Sequence, residues 1–219
     1  MKTHLIAAAA LLMPSLALAQ TATPPAEAAF TLAVDEAFNP CLSANGATPP
    51  EAVVRVKRGP LADTLTINIV GVKPGLTFDL FTLQRSNLDA AGAPVAGFAG
   101  FGLATFVSAL QSDSDGSIHA TLKTILLDQA FSFDTDKQTD GKTALLAPTN
   151  TFHLGFWFDS PTAAQACGFN PATPSPFNGK HMAGPLAMVT TPDAKTGLGP
   201  LCTQPAAATT PGAPQTCNP

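Results

Sequence analysis

Apolar and polar residues alternate with a period of two through most of the central chain. Phe30, Leu32 and Val34 alternate with Thr31 and Ala33, and Val54 and Val56 with Arg55 and Lys57. Leu65, Ile67 and Ile69 share one face of a run whose other face is Thr64, Thr66 and Asn68. Period-two patterning with β-branched residues predicts half-buried strands. Lys73-Pro74-Gly75 supplies a turn, which predicts a hairpin over residues 64–85 with 77–85 as its second arm. Residues 35–50 read as a loop holding Cys41, Asn45-Gly46 and Pro49-Pro50. Residues 101–110 read as strand, because Gly100 and Gly102 weaken a helix start. In residues 117–127, Ile118, Ala120, Leu122 and Leu126 share a face. Phe131 and Phe133 predict a short strand before a polar loop, 135–142. Residues 151–159 carry Phe152, Leu154, Phe156 and Phe158 on one side and His153, Gly155, Trp157 and Asp159 on the other. Ser160-Pro161 and Gly168 frame one short helix, and residues 186–190 form a last strand in a loop-rich region. Short strands punctuated by Gly and Pro, without helices of crossover length, predict an all-β fold. The expected architecture is an antiparallel β-sandwich, Ig-like or jelly-roll-like, with one short helix and long loops.

The N-terminus follows a different pattern. Met1-Lys2-Thr3-His4 is a short basic start, residues 5–16 are apolar, and Ala17-Leu18-Ala19 is a small-x-small site before Gln20. That layout predicts a secretory signal peptide over residues 1–19, since the run is too short to span a bilayer and Pro14 interrupts it. The expected organisation is then a disordered lead at 20–29, a β-sandwich at 30–201, and a Pro/Ala/Thr-rich tail at 202–219. The expected location is the periplasm or the exterior, with no membrane span once the signal is removed.

Export changes the reading of the four cysteines, Cys41, Cys167, Cys202 and Cys217. An even number in an oxidising compartment predicts two disulfides, with three pairings open. Cys202–Cys217 is the local option and would close a Pro-rich loop for about 3 kcal/mol. Tying Cys41 to a C-terminal cysteine would pin the ends together. No CxxC is present, which argues against a thiol-redox site or zinc knuckle, and no cysteine follows Ala19 to carry a lipid.

Charge and aromatic content exclude some partners. The net charge is −4, becoming −5 when Lys2 leaves with the signal, and Arg55, Lys57 and Arg58 are the one close basic group. Nucleic acid and anionic lipid demand more, so that group reads as a solvated strand face. Charged residues make up 12% of the chain, about half the usual ~25%. Fourteen Phe stand against one Trp and no Tyr. Phe has no polar handle, which suits a core better than a sugar cleft or a base-stacking surface.

Candidate chemistry is sparse. Asp113, Asp115 and Gly116 would fill positions three, five and six of an EF-hand, but Gln111 and Leu122 stand where acids are required. Asp136, Asp140 and Gly141 fail likewise, with Gln138 and Ala147 at ligand positions. Both read as turn geometry. His119, His153 and His181 have no HxH or HxxxH spacing. His153 and Asp159 share a strand face but lie roughly 20 Å apart along it, so His153 is expected to cap a packed second face. Asn178-Gly179-Lys180-His181 is a polar loop suited to a ligand, or simply to turning the chain. No GxSxG, free Cys–His pair or carboxylate pair in an apolar setting is present, so no enzyme and no cofactor are expected.

The turn Ile69-Val70-Gly71-Val72-Lys73-Pro74-Gly75 resembles one in copper/zinc superoxide dismutases and chordin-type domains. The resemblance implies a sandwich. It does not extend to dismutase activity, because Thr77-Phe78-Asp79-Leu80-Phe81 lacks the metal-binding histidines of the dismutases. The functional expectation is a non-enzymatic binding or structural module of the bacterial cell envelope, partnered by envelope proteins or by itself. The alternative is a periplasmic protein binding Ca, Cu or Zn through His153, Asp159, Asn178, His181, Asp113 and Asp115.

Overall fold

A strand that is apolar on one face needs a cover, and this chain supplies it by stacking two antiparallel sheets. The computed structural model describes residues 27–59, 61–126, 133–139, 142–145, 152–172, 184–202 and 217. Its strands are β1 (Glu27–Thr31), β2 (Ala33–Val34), β3 (Glu51–Lys57), β4 (Asp63–Val70), β5 (Thr77–Leu83), β6 (Ala104–Gln111), β7 (Ser117–Thr124), β8 (Phe133–Thr139), β9 (Lys142–Leu145), β10 (His153–Phe158) and β11 (Leu186–Val189). One sheet has the order β1-β3-β4-β7, the other β2-β11-β10-β5-β6, and β8 pairs with β9. Val54, Val56, Leu65, Ile67, Ile69 and Ile118 of the first sheet bury against Phe78, Leu80, Leu154, Phe156 and Phe158 of the second. The chain is thus an all-β sandwich. Among the described residues no helix is long and apolar enough to cross a membrane.

The largest departures from the pattern are at sheet changes. Residues 64–85 are not a hairpin. β4 is flanked by β3 and β7, β5 by β10 and β6, and residues 71–76 arch from one sheet to the other. Alternation predicts each arm but cannot say which neighbour it pairs with. The fully buried Val72 keeps the arch inside the core rather than at a solvent turn. β6 and β7 also lie in different sheets, so Asp113-Ser114-Asp115-Gly116 turns a second arch. The two arches are stitched together. Val72 N–H donates to Gly116 O (3.1 Å), Ser112 Oγ donates to Lys73 O (2.7 Å), and Leu76 N–H donates to Ser112 Oγ (3.0 Å).

The expected strand at residues 30–34 is likewise two. β1 joins the first sheet and β2 the second, with buried Leu32 at the crossing. Pairing of β1 with β3 begins at Glu27↔Lys57, so residues 27–29 belong to a strand and not to a disordered lead. The expected loop at 35–50 holds a 3₁₀ turn, Glu36–Phe38, and a short helix α1 (Asn39–Leu42) with Pro40 in its first turn. The helix framed by Ser160 and Gly168 is a 3₁₀ helix, Pro161–Cys167, ended by Gly168 at φ 84°. The polar loop expected at 135–142 falls within the β8/β9 pair.

Two disulfides resolve the open pairing: Cys41–Cys167 and Cys202–Cys217. The first joins α1 to the 3₁₀ helix over one end of the core, where Phe38 meets Phe158 and Phe169 edge-on. Another anchor is ionic. Arg58 Nη1 donates to Asp63 Oδ2 (2.9 Å) and Leu126 O (3.0 Å), and Nη2 donates to Leu201 O (2.6 Å). Asp63 in turn accepts from Gly59 N–H and Leu126 N–H. The pair therefore ties the end of β3 to the start of β4, the end of β7 and the C-terminal segment.

Two stability outcomes follow. Gly75 and Gly116 both have φ near +77°, but a Cβ on Gly75 meets nothing whereas one on Gly116 collides with the Val72 carbonyl oxygen. Gly75→Ala is expected to cost about 1 kcal/mol and Gly116→Ala more than about 2 kcal/mol. Equal costs in urea unfolding would refute the stitched arches. Arg58→Met strands a mostly buried carboxylate and is expected to cost about 2–3 kcal/mol. Glu27→Gln, at the exposed ion pair with Lys57, leaves the unfolding midpoint in place.

Candidate functional site

β10 is central in its sheet and buried along its whole length. Leu154, Phe156 and Phe158 face the sandwich core, while among the described residues the other face is covered by residues 84–103, which form no strand or helix. Under that cover Trp157, Phe81, Leu83, Leu186 and Val189 pack with Leu88 and Phe101. Gly155 makes room for the indole: a Cβ there would sit 2.6 Å from the Trp157 ring and 2.9 Å from Leu83. The second face expected for His153, Gly155 and Trp157 is therefore real and packed.

The covering segment is braced by its own backbone. Val95 N–H donates to Asn87 O (2.8 Å), Asp89 N–H to Ala93 O (2.8 Å), and Arg85 N–H to Phe101 O (3.0 Å). Asp89 Oδ1 accepts from Ala91 and Ala93 N–H, and Arg85 Nε donates to Gly100 O (2.7 Å). Beside it, residues 191–200 form a second tight loop. Asp193 Oδ1 accepts from Lys195 N–H, Thr196 N–H and the Thr196 hydroxyl. The Thr196 amide, then the Lys195 amide and the Thr196 hydroxyl, hold the Asp193 carboxyl below the usual carboxylate range.

Between these loops lies a cleft of about 510 Å³, bordered by Arg85, Asp89, Phe98, Asp193 and Gly197 and reaching His153. His153 is 3% exposed. Its Nδ1 shares a hydrogen bond with Thr190 Oγ1 (3.0 Å), which also accepts from Leu154 N–H (3.1 Å). Burial drives the imidazole pKa down to about 4, against a weaker upward pull from the Thr190 backbone. At neutral pH the cleft therefore holds an uncharged imidazole oriented by a hydroxyl. Gly199 fits closely as well, since a Cβ would approach His153 Cδ2 to 2.8 Å.

The remaining sequence candidates do not gather here. Asp159 lies past the opposite end of β10, its N–H bonded to Thr77 O (3.0 Å). Asp113 and Asp115 sit in the β6–β7 arch, where the side chain and then the backbone of Ser117 hold the Asp115 carboxyl below its usual range. His119 Nδ1 pairs with Asn68 Oδ1 (2.8 Å) on the exposed face of the first sheet. Asn178 and His181 lie outside the described residues, as do Asp140 and Gly141. Among the described residues no group of three or more His, Cys, Asp or Glu is arranged to hold a metal ion. Arg85, Asp89, Phe98, Thr190 and Asp193 are absent from the sequence-based candidates. They lie in or beside Ala-, Gly- and Pro-rich loops without periodicity, and only the doubly apolar β10 hinted that some layer must cover its second face. No family model, curated protein or solved structure matches the chain.

The His153 environment has a measurable consequence. Its pKa is about 4 folded against 6.5 for the free side chain, so the unfolded state binds the extra proton in between. Stability is full above pH 6.5 and falls as pH drops towards 4, by about 3 kcal/mol. His153→Gln is expected to lack this slope in urea unfolding across that window. Parallel declines in the two proteins would remove His153 as the cause.

Proposed function

We propose that this is an exported, non-enzymatic binding protein of the bacterial cell envelope. Its recognition site, in this reading, is the cleft between residues 84–99 and 192–197. Export is supported by the basic, apolar and small-residue succession over residues 1–19. The two disulfides favour an oxidising compartment. The observation that carries the binding role is the cleft itself. A braced loop layer leaves a concavity with an apolar lining, Leu88, Val95 and Phe98 among it, and polar groups that include Arg85, Asp89, His153 and Asp193. Mostly apolar concavities with few polar groups on a rigid support are how small-molecule sites are built. The neutral imidazole held by Thr190 favours binding over acid–base chemistry.

Anilinonaphthalene sulfonate, an apolar ring system with one anionic group, is the probe. Saturable one-to-one fluorescence binding by the folded protein is expected, weakened roughly tenfold by Phe98→Ala and unchanged by Leu61→Ala, at an exposed leucine outside the cleft. No saturable binding, or equal effects of both substitutions, would count against the cleft. Thermal melts with calcium, copper or zinc at millimolar concentration separate this reading from the metal-binding alternative. No shift is expected, and a clear rise in Tm with one ion would favour the alternative.

A further inference from the structure

We propose that the free edge of β6 pairs antiparallel with β6 of a second copy of this chain, joining two five-stranded sheets into one across a two-fold axis. β6 ends its sheet, with β5 on one side and no strand among the described residues on the other. An edge strand presents unpaired N–H and C=O groups, and proteins guard such edges with charge, proline or brevity. The other edges of this sandwich are guarded: β1 carries Glu27, β7 carries Lys123, and β2 has two residues. Residues 103–112 hold no charged residue and no proline. Leu103 is 48% and Phe106 55% exposed, with Phe106 held edge-on against Phe81 at 5.5 Å.

The absence of charge selects the occupant. A strand that pairs with a different partner gains specificity from complementary charges. In antiparallel pairing about a two-fold axis each side chain faces one from the same strand, and a charge near the axis would face its own copy. A charge-free edge spares self-pairing that repulsion. The shift from Leu80↔Ser108 to Phe81↔Phe106 leaves Val107 as an extra residue in β6. This bulge bends the strand there, so the straight run beyond it, residues 108–111, is where the axis falls. Ala109, opposite Asp79 in β5, is exposed on that run.

Sedimentation velocity of the purified protein, from micromolar to sub-millimolar concentration, is expected to show a monomer–dimer equilibrium. Ala109→Lys sets two ammonium groups near the axis and is expected to give monomer with an unchanged melting curve. Ala29→Lys, at an exposed position on the opposite edge of the other sheet, is expected to leave the dimer intact. A monomeric wild-type protein throughout the range, a dimer that survives Ala109→Lys, or a dimer lost in Ala29→Lys would each overturn the proposal. An Ala109→Lys protein with a collapsed melting curve is replaced by Gln111→Lys at the end of the same run, judged by the same outcomes.

Discussion

The constraint on which the rest of the molecule depends is the double burial of β10. A strand in the middle of one sheet of a two-sheet sandwich ordinarily buries one face and wets the other. Here both faces are apolar, so a two-layer sandwich leaves Trp157, Phe81 and Leu83 uncovered. Residues 84–103 supply the third layer, and they do so as loop, with backbone groups bonded to one another rather than to a ladder. A covering loop cannot be as continuous as a sheet. At its margin, beyond the apolar cluster, it leaves the cleft that reaches His153. The candidate site is thus a product of how the second face is closed.

The connections obey a related rule. Strands that are adjacent in sequence are adjacent in space only if the chain stays within one sheet. Among the described residues this chain crosses between sheets at Leu32, at residues 35–50 between β2 and β3, at residues 71–76 and at residues 112–116. Each crossing puts backbone near the core, where its polar groups require partners. The arches satisfy one another through Val72, Gly116, Ser112 and Leu76, and the opposite end is held by the Arg58–Asp63 pair. Glycine is demanded at position 116 by that mutual packing as well as by its dihedral angle, which distinguishes it from Gly75.

The sequence pattern fared well wherever one face of a strand was apolar. β3, β4, β7 and β10 lie close to where alternation puts them, β5 and β11 lie close to where the flanking turn signals put them, and the two faces of β10 are those the pattern separates. It failed where the information is not periodic. Alternation does not encode which strand is a neighbour, so two arches resembled turns within a sheet. Four residues of helix at Asn39–Leu42 are too short for a helical period to register, and the disulfide that anchors them carries no pairing information. The cleft was hidden for a related reason. Its backbone is shaped by Asp-led turns at Asp89 and Asp193, and such turns look the same in sequence whether they border a site or merely reverse the chain. His153 was legible as the polar member of a packed face, but its Thr190 partner lies 37 positions away on a separate segment.

The aromatic composition connects these features. Ring contacts run from Phe98 at the cleft to Phe101 (4.9 Å), Trp157 (5.1 Å), Phe81 (5.6 Å) and Phe106 (5.5 Å) at the β6 edge. Tyrosine in the buried middle of that row would bring a hydroxyl into a layer whose backbone groups are already bonded among themselves, and an unpaired buried hydroxyl is costly. Phenylalanine fills the same volume without that demand. A chain that buries both faces of a sheet under a self-bonded loop therefore favours Phe over Tyr. This one has fourteen Phe and no Tyr. The same row ends in partial exposure at Phe106, on a strand without charge. The composition that closes the second face thus also leaves an apolar ring at the edge, and the cleft and β6 are the two ends of a single aromatic layer.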